Sequence, residues 1–402
     1  MKVLQINTVC GTGSTGRIVA DLYKTLTEEG HDCFVGYGRG NAPQGIKAYR
    51  IGTDYDMYHH ALMTRISDKT GFYSKKATKK FIKEAKQYNP DIIHLHNLHG
   101  YYINLELLFE YLYKANKPIV WTLHDCWAFT GHCAYFDYIG CDKWKKGCYS
   151  CPQKNEYPRS VVFDNSKWNY QHKENLFTTL ENMTIITPSE WLAGLAKQSF
   201  LGKFDIKVIN NGIDLTVFKP KKSNFREKYN LEEKFIVLGV ANIWDRRKGL
   251  DVFFELCEVL NDDYKIILMG LNNRQMENLP ENILGLMRTD NVTELIEIYT
   301  AADVFVNPAL EDNFPTVNLE ALACGTPIIT YDTGGSVESI DDNCGFIVKR
   351  CSVYDLKKLI ECAKSGNMFS RECCTSRAKL YDKKNMSERC LEVYKNSNNK
   401  CL

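Results

Sequence analysis

The stretch Asn307 to Glu338, NPALEDNFPTVNLEALACGTPIITYDTGGSVE, decides how this chain is read. Ahead of it, Ala302-Asp303-Val304-Phe305-Val306 is a short apolar run. Asn307-Pro308 ends that run, because proline gives no amide to a ladder and turns its predecessor away from helix. A strand therefore stops near Asn307. An acidic loop, Glu311-Asp312-Asn313, leads to Pro315, which suits the first position of a helix, and Gly325 stands just beyond that helix's end. Free amides and the positive end of the dipole make such a helix start a cradle for phosphate, while loop carboxylates accept hydrogen bonds from hydroxyls. A nucleotide sugar carries both kinds of group.

Asp312 and Glu320 stand eight residues apart, one at the loop and the other two turns into the helix. For two acids alone, a solvated loop and an ordinary helix glutamate would be the simpler account. The surroundings displace it. The segment resembles the retaining glycosyltransferases of family 4, whose donor site is built on an E-x7-E motif, a helix and an A-x-x-x-G-x-P-[IV] strand; Ala321-Leu322-Ala323-Cys324-Gly325-Thr326-Pro327-Ile328 and Gly334-Gly335-Ser336-Val337-Glu338 follow that pattern. Asp312 stands where most members carry Glu, and Pro315 where many have a second glycine. The resemblance implies a donor site of Asp312, Asn313, Phe314, Thr316, Val317 and Glu320, with Glu320 on the ribose and Asp312 on the sugar. It extends to Asn211-Gly212-Ile213-Asp214 with Phe218, at the entrance to a second domain.

A basic turn completes the donor side. Phe235–Val240 reads as a strand, Leu250–Leu260 as a helix, and Asp245-Arg246-Arg247-Lys248-Gly249 lies between them. Cations there neutralise a departing diphosphate. Lys248 takes this role, with Arg246 and Arg247 supplying the arginine that the family places about five residues before its Lys-Gly pair.

In the N-terminal half, Lys2–Asn7 reads as a strand, followed by Gly11-Thr12-Gly13-Ser14-Thr15-Gly16 and a helix from Ile18. This G-x-G-x-x-G admits a second reading, an NADP-dependent oxidoreductase or epimerase with Arg39 on the 2′-phosphate. The Tyr-x-x-x-Lys pair which that chemistry would use occurs only at Tyr354 and Lys358. The resemblance instead places Gly13, Ser14, Thr15 and Gly16 against the acceptor or the interdomain cleft. Asp91–His96 and Pro118–Leu123 are further strands with a helix between them, and His96, His99 and His124 fall at their carboxyl ends, where doubly wound sheets keep their sites. His124, in Thr122-Leu123-His124-Asp125, matches the family's histidine at the reaction centre. All nine histidines precede residue 173, so polar site chemistry gathers in this half.

Cys133, Cys141, Cys148 and Cys151 lie in a loop, 126–158, that reads as poor in apolar residues. Four cysteines with a terminal C-x-x-C suit a structural zinc ion, with an iron–sulfur cluster or four free thiols as alternatives and Cys126 and His132 nearby. Elsewhere, 402 residues, 44% of them hydrophobic, suffice for two domains, and a formal net charge of +2 gives no reason to expect nucleic acid as a partner. The start, MKVLQINTVC, does not read as a secretion signal, and no run of about 18 apolar residues occurs. A cytoplasmic protein is expected. Six lysines in SKKATKKFIKEAK, 74–86, allow peripheral contact with the inner face of a membrane.

The expectation is therefore an α/β chain of GT-B architecture: two facing Rossmann-like doubly wound domains with a cleft between them. Domains are expected at 1–205 and 206–376, with a helix over 377–402 crossing back to the first. The activity expected is that of a metal-independent retaining glycosyltransferase, of hexosyltransferase type, moving a sugar from a nucleotide-diphosphate donor to a saccharide or lipid-linked saccharide in polysaccharide biosynthesis. His124, Asp312 and Lys248 are its catalytic residues. A silent sugar-nucleotide-binding scaffold is the remaining alternative.

Overall fold

The computed structural model describes residues 1–289, 291–350, 352–366 and 369–399. The chain divides into two compact units, Met1–Asn210 with the chain from Met386, and Asn211–Asn385. The first unit contains seven strands: β1 (Lys2–Val9), β2 (Asp32–Arg39), β3 (Ala48–Arg50), β4 (Ile92–Leu95), β5 (Ile119–Thr122), β6 (Met183–Thr187) and β7 (Asp205–Val208). They lie in the order β3-β2-β1-β4-β5-β6-β7, with parallel pairing throughout. β4 and β5 are buried along their whole length, as strands covered on both faces by helices must be. Helices α1 (Gly13–Glu28), α2 (Asp54–Ser67) and α3 (Lys75–Tyr88) belong to the first half of this unit.

The second unit repeats the plan with β8 (Phe235–Val240), β9 (Tyr264–Leu271), β10 (Ile283–Met287), β11 (Val304–Asn307), β12 (Ile328–Tyr331) and β13 (Gly345–Val348). Their order is β10-β9-β8-β11-β12-β13, again parallel. In both sheets the winding reverses between the first strand and the fourth, and the loops leaving those two strands at their carboxyl ends diverge to frame a site. In the first unit that point lies between β1 and β4, and in the second between β8 and β11.

Several expectations shift. β7 pairs with β6, so the first unit runs to Asn210 rather than to 205. The expected helix over 377–402 is two pieces: Arg371–Ala378 continues into a single tight turn, and a new helix starts at Lys383. Met386, Cys390, Leu391 and Tyr394 of that last helix are buried in the core of the first unit. Gly13 to Gly16 are the first turn of α1, not a loop before it. Gly16 belongs there because a Cβ would come within 3.1 Å of Val9 Cγ2, so the helix start packs directly on the end of β1.

Candidate active site

Lys248 and Asp312 are brought together by topology, since they hang from the neighbouring strands β8 and β11 at the reversal point of the second sheet. Asp245 caps the tight turn Arg246–Lys248 by accepting from the Lys248 amide at 3.0 Å. Gly249 closes it with φ +73°, and a Cβ there would come within 2.4 Å of the Pro308 carbonyl oxygen. No other residue lets the two loops touch so closely. Two further bonds fix them: the Leu310 amide donates to Arg247 O at 2.8 Å, and Arg247 Nη1 donates to Glu311 O at 2.9 Å. Within this frame Lys248 Nζ donates to Asp312 Oδ2 at 2.5 Å. Burial alone would raise the Asp312 carboxyl, but Lys248 and Arg247 hold it below its ordinary value, so it is ionised at neutral pH.

Behind the pair lies the helix Thr316–Ala323. Pro315 is its N-cap rather than its first residue, and no side chain closes the first turn, which contains Thr316 and Val317. Asn318 ties the helix to its surroundings: it accepts from Asn307 Nδ2 at 2.9 Å and donates to Ser336 Oγ at 3.2 Å and Ser339 Oγ at 3.0 Å. These bonds explain the glycine–serine segment after β12, which braces the helix from behind. Glu320 is 1% exposed and accepts from Tyr299 Oη at 3.0 Å, and Phe314 is buried with its carbonyl taking the Asn211 side-chain amide at 2.9 Å. The second unit thus gathers Arg247, Lys248, Asp312, Asn313, Phe314 and Glu320 around one strand–loop–helix. Arg246 is exposed at the start of the basic turn.

In the first unit, His124 follows β5 and is partly exposed. Its Nε2 lies 3.2 Å from His96 Nδ1, and His96 Nε2 lies 3.3 Å from Gln5 Oε1. Gln5 Nε2 donates to Val19 O at 3.3 Å, so its carbonyl oxygen is the atom that faces His96. His96 must then donate from Nε2, and, being neutral, it accepts at Nδ1 from His124 Nε2–H. The order leaves His124 Nδ1 as the unprotonated nitrogen. Burial lowers the His124 imidazole to about 4 against a smaller upward pull from Asp125, and lowers His94 to about 3. His94 stacks on His96 at 4.1 Å and joins Tyr394 Oη, at 2.6 Å, to Thr122 Oγ1, at 2.8 Å. Asp125 is held by His99 at 2.8 Å, and His99 in turn by Tyr157 at 2.9 Å. Gln5, His94 and Tyr394 had no local signal in the sequence, because each sits inside an apolar or charged element and gains its meaning from distant partners.

The cysteine loop corrects one premise. It is not poor in core residues: Phe129, Phe136 and Trp144 are buried, Phe136 stacks on Trp144 at 5.0 Å, and Phe129 lies 5.3 Å from Trp144. Spread one by one among glycines and lysines, these aromatics do not read as a core. Lys173, 1% exposed, closes the inner side by donating to Trp127 O at 2.6 Å and Thr130 O at 3.0 Å. Cys133, Cys141, Cys148 and Cys151 line one cavity of about 10 Å³, together with His132, which Asp68 holds. The Gly131 amide donates to Cys148 Sγ at 3.1 Å, and a hydrogen bond from Cys133 lowers the Cys151 thiol to about 7. Among the described residues no group of three or more His, Cys, Asp or Glu side chains is already set around a common metal position.

Comparison with known proteins agrees with the two-unit plan. Residues 15–217 match the family described as Glycosyltransferase Family 4, and residues 221–380 match Glycosyl transferases group 1. The first match includes most of α1, which leaves the oxidoreductase reading of the glycine motif without support. The chain is 28% identical to the putative colanic acid biosynthesis glycosyl transferase WcaC of Escherichia coli K12, over 98% of this chain and 100% of that protein. It is also 28% identical to the N,N'-diacetylbacillosaminyl-diphospho-undecaprenol alpha-1,3-N-acetylgalactosaminyltransferase of Campylobacter jejuni, over 46% of this chain and 52% of that one. Among solved structures, sucrose-phosphate synthase from Thermosynechococcus elongatus superposes with a TM-score of 0.73 at 16% identity, covering 98% of each chain. Anabaena HepE in complex with UDP-glucose superposes with a TM-score of 0.68 at 16% identity, covering 98% of this chain and 100% of that one. The chain belongs to glycosyltransferase family 4, and its two doubly wound units are the Rossmann-like pair of the GT-B fold.

Proposed function

We propose that this protein is a retaining hexosyltransferase that takes a sugar from a nucleotide-diphosphate donor and places it on a saccharide or lipid-linked saccharide during surface-polysaccharide assembly. The observation that carries this reading is the Lys248–Asp312 pair at the reversal point of the second sheet, backed by Arg246, Arg247 and an uncapped helix start. Without ligand the pair neutralises itself. A donor would divide it, the diphosphate taking Lys248 with the arginines and the first-turn amides of Thr316 and Val317, and the sugar hydroxyls taking Asp312. Glu320, deeper in the same helix, would take the ribose. Lys248 would then stabilise charge that grows as the glycosidic bond to phosphate breaks, so its contribution would be larger in the transition state than in the bound donor. Departure and attack on one face need no covalent nucleophile from the chain, and His124 offers the sugar a neutral imidazole of fixed tautomer.

The similarity to a colanic acid enzyme and to a transferase named for an undecaprenyl-linked acceptor supports the pathway and acceptor class, and HepE with UDP-glucose supports a nucleotide-sugar donor. Catalysis is proposed to be metal-independent and to take place in the cytoplasm. The four loop cysteines are proposed as a structural zinc site only, because they share one cavity. A thermal-shift panel of UDP-, GDP- and ADP-sugars against NADP tests the donor class, with stabilisation by one sugar nucleotide expected. Stabilisation by NADP alone would overturn the reading. Turnover with a lipid-linked acceptor, and the anomeric configuration of the product, then separate a retaining transferase from a silent scaffold.

A further inference from the structure

Helix α2 is built inside out. Its buried residues are the polar His60 and Thr64, whereas Tyr55 (78% exposed), Tyr58 (68%), Leu62 (57%) and Ile66 (39%) form a stripe on the outside at helical spacing. The stripe continues into a second segment. The Val161 amide donates to Arg65 O at 2.7 Å and the Phe163 amide to Ile66 O at 3.1 Å, which holds Val161, Val162 and Phe163, each at least half exposed, against the end of α2. Seven of the nineteen exposed large apolar side chains among the described residues therefore belong to this one surface. A patch of that kind on a soluble fold marks a contact.

Its surroundings say what the contact is. α3 packs beside the start of α2, with His60 Nδ1 on Ser74 Oγ at 2.8 Å and Lys76 and Lys80 close enough to pull Asp56 below its ordinary value after the Thr53 cap. Lys75, Lys76, Lys79, Lys80, Lys83 and Lys86 of α3 are all exposed. Between residues 54 and 88 there are eight Lys and Arg against four Asp and Glu. An isologous contact with a second copy would set these lysines against one another. An anionic bilayer pairs with them, while tyrosines and aliphatic side chains enter its headgroup layer.

We propose that α2, the Val161–Phe163 segment and the lysines of α3 form a docking surface for an anionic lipid bilayer. The inference stands on this surface alone and goes beyond the proposed reaction. It also gives the surface a purpose. From His60 an aromatic path runs through Tyr101, at 5.9 Å, and Tyr157, at 6.4 Å from Tyr101, to His99 and Asp125, next to His124. The docked edge of this unit thus connects to the histidine cluster, where a lipid-linked acceptor would enter.

Vesicle flotation of the full chain tests it, with phosphatidylcholine vesicles containing about a third phosphatidylglycerol compared with phosphatidylcholine alone, at about 0.1 M and 0.5 M NaCl. Expected is binding to the anionic vesicles that weakens at the higher salt. Leu62→Asp with Phe163→Asp, and separately Lys76→Gln with Lys79→Gln, Lys80→Gln and Lys83→Gln, should each lower the bound fraction by about tenfold or more. All these positions are exposed, and an unchanged melting temperature shows that the variants fold. No flotation of the wild type at low salt, or equal flotation of the variants, overturns the proposal. So does a concentration-dependent dimer in sedimentation velocity that Leu62→Asp abolishes, since the face would then belong to a second copy.

Discussion

The loop after β11 and the cysteine loop after β5 leave the same kind of strand end, yet different forces order them. The first is short, buried and polar: Lys248, Asp312, Arg247, Asn307 and Asn318 hold each other by charge and hydrogen bonds, and the apolar contribution is small. The second is long and runs over the surface, and a wedge of aromatic rings around Trp144 pins it. A polar frame can exchange its partners for a ligand's at little cost in folding energy. An aromatic wedge has no such second use, so it serves to hold a shape. This difference assigns the chemistry to one loop and the architecture to the other.

The sharpest way to break the comparison is Trp144→Ala. If the wedge orders the cysteine loop, the substitution should cost about 3–5 kcal/mol of stability, measured by urea unfolding. Trp144→Phe should cost much less, because the indole nitrogen is buried without a hydrogen-bond partner and its loss leaves nothing unpaired. Comparable losses from both would mean that the ring packing is not what fixes the loop. On the other side, Lys248→Ala should leave stability almost unchanged and lower kcat by about 100-fold or more, with a smaller rise in KM. A change in KM alone would reduce Lys248 to a ground-state contact.

Glu320→Gln should weaken free nucleotide by about 1.5–3 kcal/mol if it holds the ribose, and Asp312→Asn should affect only the full donor. Isothermal titration with nucleotide and with nucleotide sugar separates the two, and equal nucleotide affinity in wild type and Glu320→Gln would remove the ribose assignment. A smaller effect concerns pH. His94 and His124 have folded values of about 3 and 4, below the ordinary 6.5, so the unfolded chain takes up their protons first. Their contribution to stability is complete above about 6.5 and is lost as pH falls towards 4. His132, raised by Asp68 against the effect of burial, works in the opposite sense, its contribution lost as pH rises. Melting temperature should therefore fall between about pH 6.5 and 4, and His94→Gln should flatten that slope.

How much of this was legible follows from where the information lies along the chain. The β11 segment could be read because its strand end, acidic loop, proline and closing glycine are contiguous, and each restricts its neighbours. The alternation of strand and helix gave both doubly wound units for the same reason. Three half-buried residues at a sheet edge gave no signal for β3, and α2 was hidden because its apolar stripe faces outwards while a histidine and a threonine face in. The His124–His96–Gln5 order is a property of contacts between residues 28 and 91 positions apart. Trp144 and Phe136 are separated by glycine and lysine, so only the folded loop shows them to be one cluster.

The smallest expected effect concerns the metal. An unordered loop of this length would need an outside source of binding energy, and on that footing zinc removal would unfold it. With Phe129, Phe136 and Trp144 in place the loop has its own core, so a zinc ion held by Cys133, Cys141, Cys148 and Cys151 would fasten a segment that is already shaped. Purified without added metal, the protein is expected to contain one zinc per chain, by elemental analysis. Chelation should lower the melting temperature by only a few degrees, raise protease sensitivity between residues 133 and 151, and leave nucleotide binding by the second unit intact. Cys148→Ser with Cys151→Ser should reproduce that pattern and cost less than Trp144→Ala. Iron with acid-labile sulfide would replace zinc by a cluster, and no metal would leave four reduced thiols. A chelated protein that loses the loop altogether would show that the aromatic wedge does not suffice, and the contrast between the two loops would fail at that point.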